Sequence, residues 1–200
     1  MNFDAEGPLH QKRADELFLK LSKGDKDAYD ELFVILYEDL RRIAHRLFTR
    51  ERGADTAQTG DLVARLYLEL LGSKSIPWKN YRQFLITAAR ALRQSLMDYS
   101  RIWKRSVLGN GKGSCPHDRM DIDHLLASKA VNPFDFIQIG QAIEAIWKKD
   151  PPTAQIADLR LTLGFSLEEV SQILKTPLTG ILEQWKLVKE TMAERLAPAC

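Results

Sequence analysis

The segment from Trp78 to Arg105, WKNYRQFLITAARALRQSLMDYSRIWKR, constrains the fold more than any other part of the chain. It is long, strongly periodic and heavily charged. At about 100° per residue, its apolar side chains fall within roughly one third of a helical circumference. The pattern predicts one amphipathic helix whose inward face consists of Tyr81, Phe84, Leu85, Ala88, Leu92, Leu96, Tyr99, Ile102 and Trp103.

Basic residues occupy nearly the opposite side of this helix, interrupted only by Ile86 and Met97. From Lys79 to Lys112 there are eight basic residues and one acid, Asp98, so this stretch carries +7 whereas the whole chain carries +2. A solvated helix face usually mixes both signs at i, i+4 spacing. The excess of one sign therefore favours contact with nucleic-acid phosphate over a merely solvated surface. The stripe expected to face solvent or a polyanion contains Arg82, Arg90, Arg93, Arg101 and Lys104.

Composition and hydropathy are typical of a soluble globular protein. Of the 200 residues, 44% are hydrophobic and 28% are charged, which is ordinary for a folded domain with a core. No apolar run approaches the roughly 20 residues of a membrane span, and the N-terminus lacks a hydrophobic stretch of signal-peptide type. Two cysteines are too few for a disulfide framework. We therefore expect a cytoplasmic protein without membrane insertion.

The sequence contains no recognisable group of catalytic or metal-binding residues. His10, His45, His117 and His124 are scattered, and there is neither a glycine-rich phosphate loop nor a nucleophile beside a base. Cys115 stands near His117, but a zinc site normally requires four N or S ligands. No second pair of such residues lies nearby. We predict that the chain is not an enzyme and holds no metal and no cofactor.

The N-terminal half is predicted to form a four-helix unit. Apolar periodicity indicates a short helix that ends at Gly24, a second of about six turns from Lys26 to Phe48, and a third over residues 59–71. The basic helix is the fourth. Because short connections favour antiparallel neighbours, residues 1–106 are expected to form one all-α domain.

A change of composition after the basic helix separates a second helical unit from the first. The stretch VLGNGKGSCPHDRMD is rich in glycine and lacks apolar periodicity, so residues 107–134 are predicted to be a flexible linker. In residues 135–200, Ser166 and Glu169 have the spacing of a capping box that begins a short helix. A longer helix with a buried stripe follows after a brief turn, which predicts a helix-turn-helix.

These segments resemble the extracytoplasmic-function (ECF) type of bacterial sigma factor, in particular members with a tryptophan-rich last helix. The resemblance covers roughly residues 28–196 and rests on LYEDLRRIAHRLF at 36–48, on the basic helix, and on SLEEVSQIL at 166–174 followed by Trp185. It implies that the first unit binds core RNA polymerase and the −10 promoter element. The second unit would bind the −35 element, and the family also allows an anti-sigma factor as a partner.

The resemblance assigns candidate contacts to individual residues. Base reading at the −10 element would fall on the loop from Ser73 to Arg82, and the basic stripe would follow the nearby phosphates. Core polymerase would contact the helices at 28–48 and 59–71, with Asp61, Arg65 and Glu69 as candidates. The expected −10 DNA contacts are Lys74, Lys79, Asn80, Arg82, Arg90, Arg93, Arg101, Lys104 and Arg105.

The helix-turn-helix departs from the family pattern in its charge. Lys175 stands where the family usually has the glycine of the turn, and Leu182-Glu183 stands where it has basic residues. From Leu161 to Cys200 four bases face five acids, a net charge of −1, which makes a poor surface for phosphate. Duplex binding by this unit is therefore expected to be weak, and any −35 contact would rest on Lys175, Thr179, Gln184 and Lys186.

Two other functions remain open from the sequence. A dimeric helix-turn-helix regulator would bind an operator, but it would need its basic charge on the C-terminal unit. A degenerate protein-interaction module would keep the polymerase contacts and would have lost promoter recognition. The location of the basic charge on the N-terminal unit distinguishes a sigma factor from the operator-binding regulator. A transcription initiation assay distinguishes a sigma factor from the protein-interaction module.

Overall fold

The computed structural model describes residues 10–48, 70, 78–109 and 133–195. Within these ranges every regular element is a helix and there is no β-strand, which confirms the predicted all-α fold class. Helices from both halves of the chain contribute to one continuous apolar core. The two predicted units therefore pack against each other in the described structure.

Helices α1 (Gln11–Ser22) and α2 (Ala28–Phe48) contact each other at the start of the described chain. Gly24, between them, has φ +89°, a left-handed conformation that a residue without Cβ adopts easily after a helix. The two helices thus match the periodicity of the sequence. The predicted helix at 59–71 lies outside the described residues, apart from Leu70, which is buried.

Helix α3 (Tyr81–Gly109) is the predicted basic helix and continues to Gly109. Asn80 Oδ1 accepts a hydrogen bond from the backbone N–H of Gln83 at 2.9 Å, and Asp15 Oδ1 accepts from that of Tyr81 at 3.0 Å. These acceptors satisfy donors that a helix start leaves without an intrahelical partner. The predicted inward face is buried where its side chains are described, at Tyr81, Phe84, Leu85, Ala88, Leu92 and Leu96.

A buried carboxylate joins α3 to α2. The hydroxyl of Tyr81 donates to Asp39 Oδ2 at 2.6 Å, and Asp39 Oδ1 lies 3.1 Å from His10 Nδ1. Burial raises the pKa of Asp39, while Tyr81 and His10 oppose that rise. The helical pattern did not indicate this contact, because acidic residues are almost never fully buried unless they are paired.

Helices α4 (Pro133–Lys149) and α5 (Pro151–Ala157) begin the C-terminal half. Asp150 caps α5, since its carboxylate accepts from the hydroxyl of Thr153 at 2.6 Å and from the backbone N–H of that residue at 3.3 Å. Helix α5 runs into a π-helical turn, Asp158–Thr162. Such turns are rare in proteins overall, but those that occur are often found at functional sites.

Helices α6 (Leu167–Leu174) and α7 (Leu178–Arg195) form the predicted helix-turn-helix. The capping box is present: Ser166 Oγ accepts from the backbone N–H of Glu169 at 3.1 Å, and Glu169 Oε2 accepts from that of Ser166 at 2.7 Å. Lys175, in the turn, has φ +53°. A residue with a Cβ is strained in this conformation. The turn therefore has the left-handed backbone that a glycine adopts without strain, although Lys175 occupies the position.

Replacement of Lys175 by glycine should therefore raise the free energy of unfolding by about 0.5–1 kcal/mol, because relief of the strain exceeds the entropy that glycine adds to the unfolded chain. Gly164→Ala is the opposite change at another left-handed position, φ +73°, and should lower stability by about 1 kcal/mol. Urea denaturation measures both. Lower stability of Lys175→Gly would contradict the expectation and would mean that the exposed Lys175–Asp15 contact at 3.9 Å matters more than the strain.

Candidate nucleic-acid interface

Helix α3 buries a second face in addition to the predicted one. Ala89, Arg93 and Met97 recur at intervals of four residues and are buried, with Arg93 only 6% exposed. This face packs against α4 and the π-helical turn. The expectation that the basic stripe faces solvent or a polyanion is therefore wrong for Arg93, because a buried acid of the C-terminal half is its partner in this structure.

That acid is Asp158, which forms an ion pair with Arg93 between the two halves of the chain. Arg93 Nε donates to Asp158 Oδ1 at 2.8 Å and Nη2 donates to Oδ2 at 3.5 Å, the parallel geometry that suits a guanidinium and a carboxylate. Nη1 donates to Glu144 Oε2 at 3.0 Å and to the carbonyl of Gly140 at 3.4 Å. Each guanidinium nitrogen thus has an acceptor.

Trp147 of α4 extends this cluster. Its indole Nε1–H donates to Asp158 Oδ2 at 2.6 Å, and the guanidinium carbon of Arg90 lies 4.7 Å from the ring centroid, which is within cation–π distance. The hydroxyl of Thr162 donates to Asp158 Oδ1 at 3.3 Å. We refer to Arg90, Arg93, Trp147 and Asp158 together as the clasp.

Asp158 has the largest desolvation cost in the clasp, because its carboxylate is fully buried. Burial raises its pKa, and the charge of Arg93 together with the hydrogen bonds from Trp147, Arg93 and Thr162 opposes the rise. Asp158 is also the first residue of the π-helical turn, and its backbone carbonyl accepts a hydrogen bond from the N–H of Leu163 at 3.2 Å. A carboxylate at this depth is tolerated only while such donors surround it.

Gly140 allows α4 to approach α3 closely. A Cβ on Gly140 would lie 2.3 Å from Sδ and 2.7 Å from Cγ of Met97, well inside van der Waals contact. Met97 and Ile86 are the two apolar residues that interrupt the basic stripe in the sequence. Apolar residues at these two positions indicate that this side of the helix packs against protein. No pattern in the sequence identified which part of the protein it packs against.

The N-terminal end of α3 contacts the helix-turn-helix. Arg82 donates from Nη1 to the carbonyl of Leu174 at 3.2 Å and from Nη2 to Gln155 Oε1 at 2.9 Å. The carbonyl belongs to the C-terminus of α6, where a cation is favourable. Lys79 is exposed, whereas Asn80 uses its side chain to cap α3. Arg82 and Asn80 are thus held by protein contacts, and Lys79 is available at the surface.

A cleft of about 780 Å³ lies beside the clasp and is lined by α3, α4 and the end of α7. The single acid among its described lining residues is Glu144. Arg101 also pairs with Asp98 at 2.6 Å, but this exposed pair lies within one helical turn and is worth little. The cleft is therefore cationic, and its basic residues are Arg90, Arg93, Arg101, Lys148 and Arg195.

The outer face of α7 combines acids with apolar side chains. Leu182 and Leu187 are 48% and 52% exposed, and Glu183 and Glu190 are exposed beside them. Such a surface offers little to phosphate, in agreement with the charge count of this unit. Among the candidate −35 contacts, the exposed residues are Lys175, Thr179 and Lys186, and Gln184 is partly buried.

Several candidate contacts lie outside the described residues. They are Lys74 and the candidate polymerase contacts Asp61, Arg65 and Glu69. Helix α3 includes Lys104 and Arg105, but the described side chains do not extend to them or to Tyr99, Ile102 and Trp103. The assignments to these residues stay predictions.

Within the described ranges, no group of three or more His, Cys, Asp or Glu side chains could hold a metal ion. No helix in the same part of the chain combines the length and apolar character that crossing a membrane requires. Cys115 and His117 are not among these residues.

Comparison with known protein families identifies a match to the ECF sigma factor model over residues 12–197. The match runs from the first turn of α1 beyond the end of α7, so it includes the basic helix, the clasp and the helix-turn-helix. No curated protein and no solved structure gives a significant match to the chain.

A double-mutant cycle on Arg93 and Asp158, with each residue replaced by alanine, should give a coupling free energy of about 1–3 kcal/mol, because the pair is buried and each partner depends on the other. The matched cycle on Arg101 and Asp98 should give less than about 0.5 kcal/mol, since that pair is exposed. Guanidinium denaturation of the four variants of each cycle provides the measurement. Equal couplings in the two cycles would contradict the burial of Arg93.

Proposed function

We propose that this chain, which belongs to the ECF sigma factor family, directs transcription initiation by binding core RNA polymerase and promoter DNA. The observation that carries the proposal is the family match over residues 12–197, which includes both halves of the described structure. A sigma factor has to hold the polymerase and the DNA at the same time. The charge and apolar character of each surface therefore decide which partner it suits.

The basic side of α3 supports promoter contact near the −10 element. Lys79, just before α3, and Arg101 on α3 are exposed, whereas Arg82 and Arg90 on the same helix contact the C-terminal half. Each Lys or Arg that neutralises a phosphate releases counterions, which adds affinity that decreases with salt. The +7 charge of residues 79–112 is consistent with such a surface, and the cationic cleft lies directly along it.

Apolar surface on α1 and α2 supports polymerase binding. Leu19 on α1 and Val34 on α2 are 57% and 58% exposed, and Tyr37 is 40% exposed. Exposed apolar surface of this kind is suited to protein contact. The resemblance to the family places the polymerase contact partly on α2. The charged residues proposed for polymerase contact are Asp61, Arg65 and Glu69.

We propose that the helix-turn-helix acts mainly through polymerase and contributes little to DNA affinity. The exposed Leu182 and Leu187 suit a protein surface, and the acids Glu183 and Glu190 repel phosphate. Any −35 contact would depend on Thr179, Gln184 and Lys186.

Reconstitution with bacterial core RNA polymerase tests the function. The purified protein should bind core and initiate from a subset of promoters in a genomic promoter library, with start-site mapping as the readout. Lys79→Glu and Arg101→Glu reverse exposed charges, so each should weaken promoter binding by the holoenzyme and reduce the salt slope by about 1. Lys23→Glu, an exposed residue just after α1, makes the same change of charge away from α3 and should have no such effect.

The possible results of this experiment separate the candidate functions. Binding to core without initiation from any template would identify a protein-interaction module that has lost promoter recognition. Failure to bind core would contradict the proposal. A salt slope that is unchanged in both Lys79→Glu and Arg101→Glu would remove α3 and the residue before it from the DNA surface.

Glu183→Arg should raise the affinity of the holoenzyme for promoter duplex by about tenfold at low salt if α7 faces DNA, because a repulsive acid becomes a phosphate-binding cation. Glu16→Arg on the exposed surface of α1 is the matched control. Retention of labelled promoter duplex by holoenzyme is the measurement. An unchanged affinity in a folded protein would show that α7 does not lie against DNA.

A further inference from the structure

We propose that the cleft between α3, α4 and the end of α7 is a binding site for a compact anion that carries two or three phosphates, either a nucleoside polyphosphate or a short inorganic polyphosphate. The site goes beyond the proposed function, because binding of such a small molecule does not require promoter recognition. Its charge, its fixed guanidinium groups and its shape each support this assignment.

The charge of the cleft comes from several helices and is nearly all of one sign. Glu144 is the single acid among the described lining residues, and its carboxylate already accepts from Arg93 at 3.0 Å. These two residues offset each other. The other cations that line the cleft come from three helices, and they are Arg90 and Arg101 of α3, Lys148 of α4 and Arg195 of α7.

Most of these cations are not neutralised by acids. Arg90, Lys148 and Arg195 form no ion pair within the part of the chain that the structure describes. A cleft that is lined by one sign of charge focuses the electric field and raises the local concentration of counter-ions. The field of this cleft therefore attracts an anion with several charges.

Two of the lining guanidinium groups are held in place by the protein. Arg93 is 6% exposed, and Asp158 Oδ1 accepts from its Nε at 2.8 Å. The guanidinium carbon of Arg90 lies 4.7 Å from the ring centroid of Trp147. A side chain that is already positioned loses less conformational freedom when a ligand binds. Part of the cleft is thus organised before an anion enters.

The shape of the cleft suits a small molecule better than a nucleic-acid strand. Its volume of about 780 Å³ falls in the range of small-molecule sites. Cations from three helices surround one cavity, whereas the phosphates of a strand are spread along a line. Ile86, Ala91 and Ala145 add an apolar wall, and a guanidinium such as that of Arg90 also stacks on aromatic rings. These features suit the sugar and base of a nucleotide.

The number of phosphates follows from the charge. Five basic residues and one acid line the cleft, a net charge of +4. A single terminal phosphate carries about −1.5 to −2 at pH 7, so a monophosphate leaves at least half of this charge unmatched. Two or three phosphates match it, and they also offer enough oxygens for several guanidinium groups.

Calorimetric titration of the full-length protein without divalent ions tests the site with three probes, which are ATP, inorganic tripolyphosphate and AMP. At least one of the two triphosphates should bind at one site per chain and about tenfold more tightly than AMP, because AMP has a single phosphate. A preference for ATP would identify a nucleotide site. Equal affinity for ATP and tripolyphosphate would show that the phosphate chain alone is recognised.

A matched pair of variants separates the cleft from general attraction to a basic protein. Lys148 and Lys149 are both exposed neighbours on α4, but only Lys148 lines the cleft. Lys148→Gln should weaken triphosphate binding by about tenfold through loss of a charge-assisted contact, whereas Lys149→Gln should stay within about twofold of the wild type. Gln141→Glu adds a negative charge at an exposed lining residue and should also weaken binding by about tenfold.

The proposal is overturned if neither triphosphate binds, if more than one equivalent binds per chain, or if Lys148→Gln and Lys149→Gln lose affinity equally. A single-stranded oligonucleotide is titrated in the same way, and its affinity should change by less than about twofold in Lys148→Gln. A loss as large as that of the triphosphate would assign the cleft to nucleic acid and would also overturn the proposal. Unfolding midpoints measured without ligand check that each variant is folded.

Discussion

The buried ion pair between Arg93 and Asp158 is the interaction on which the described arrangement depends. Transfer of both charges out of water is costly, and their attraction with the indole donor of Trp147 compensates for that cost only in one geometry. Helix α3, helix α4 and the π-helical turn are held in register for this reason, since a shift would leave a buried charge unpaired. Apolar packing supplies most of the buried area, and the charges disfavour other registers.

The same pair connects the fold to the chemistry expected of a sigma factor. A guanidinium that binds a carboxylate through two parallel donors also suits a phosphate, so a basic stripe on an isolated helix fits either partner. In the described structure the two uses exclude each other, because Arg93 has a single set of donors and Asp158 already accepts from it. Burial of Arg93 is therefore compatible with phosphate binding by this residue only if Asp158 moves away from it.

Charge is distributed unequally between the two halves of the chain. The basic segment around α3 carries +7, whereas residues 161–200 carry −1. Opposite charge favours association of the halves with each other. The exposed Leu182 and Leu187 on α7, beside Glu183, then suit contact with protein better than contact with a duplex. The helix-turn-helix thus has its capping box intact, while the net negative charge of residues 161–200 does not favour phosphate.

The sequence by itself determined the elements: periodicity located α3 and its inner face from Tyr81 to Leu96, and local capping rules located the start of α6 at Ser166. These features depend on neighbours within a few residues of one another. Tertiary structure alone decided the partner of Arg93, the π-helical turn and the buried carboxylate of Asp39. A helical wheel states the direction in which a side chain points, but water, phosphate and Asp158 satisfy a guanidinium equally well, and Asp158 is 65 residues away in the chain.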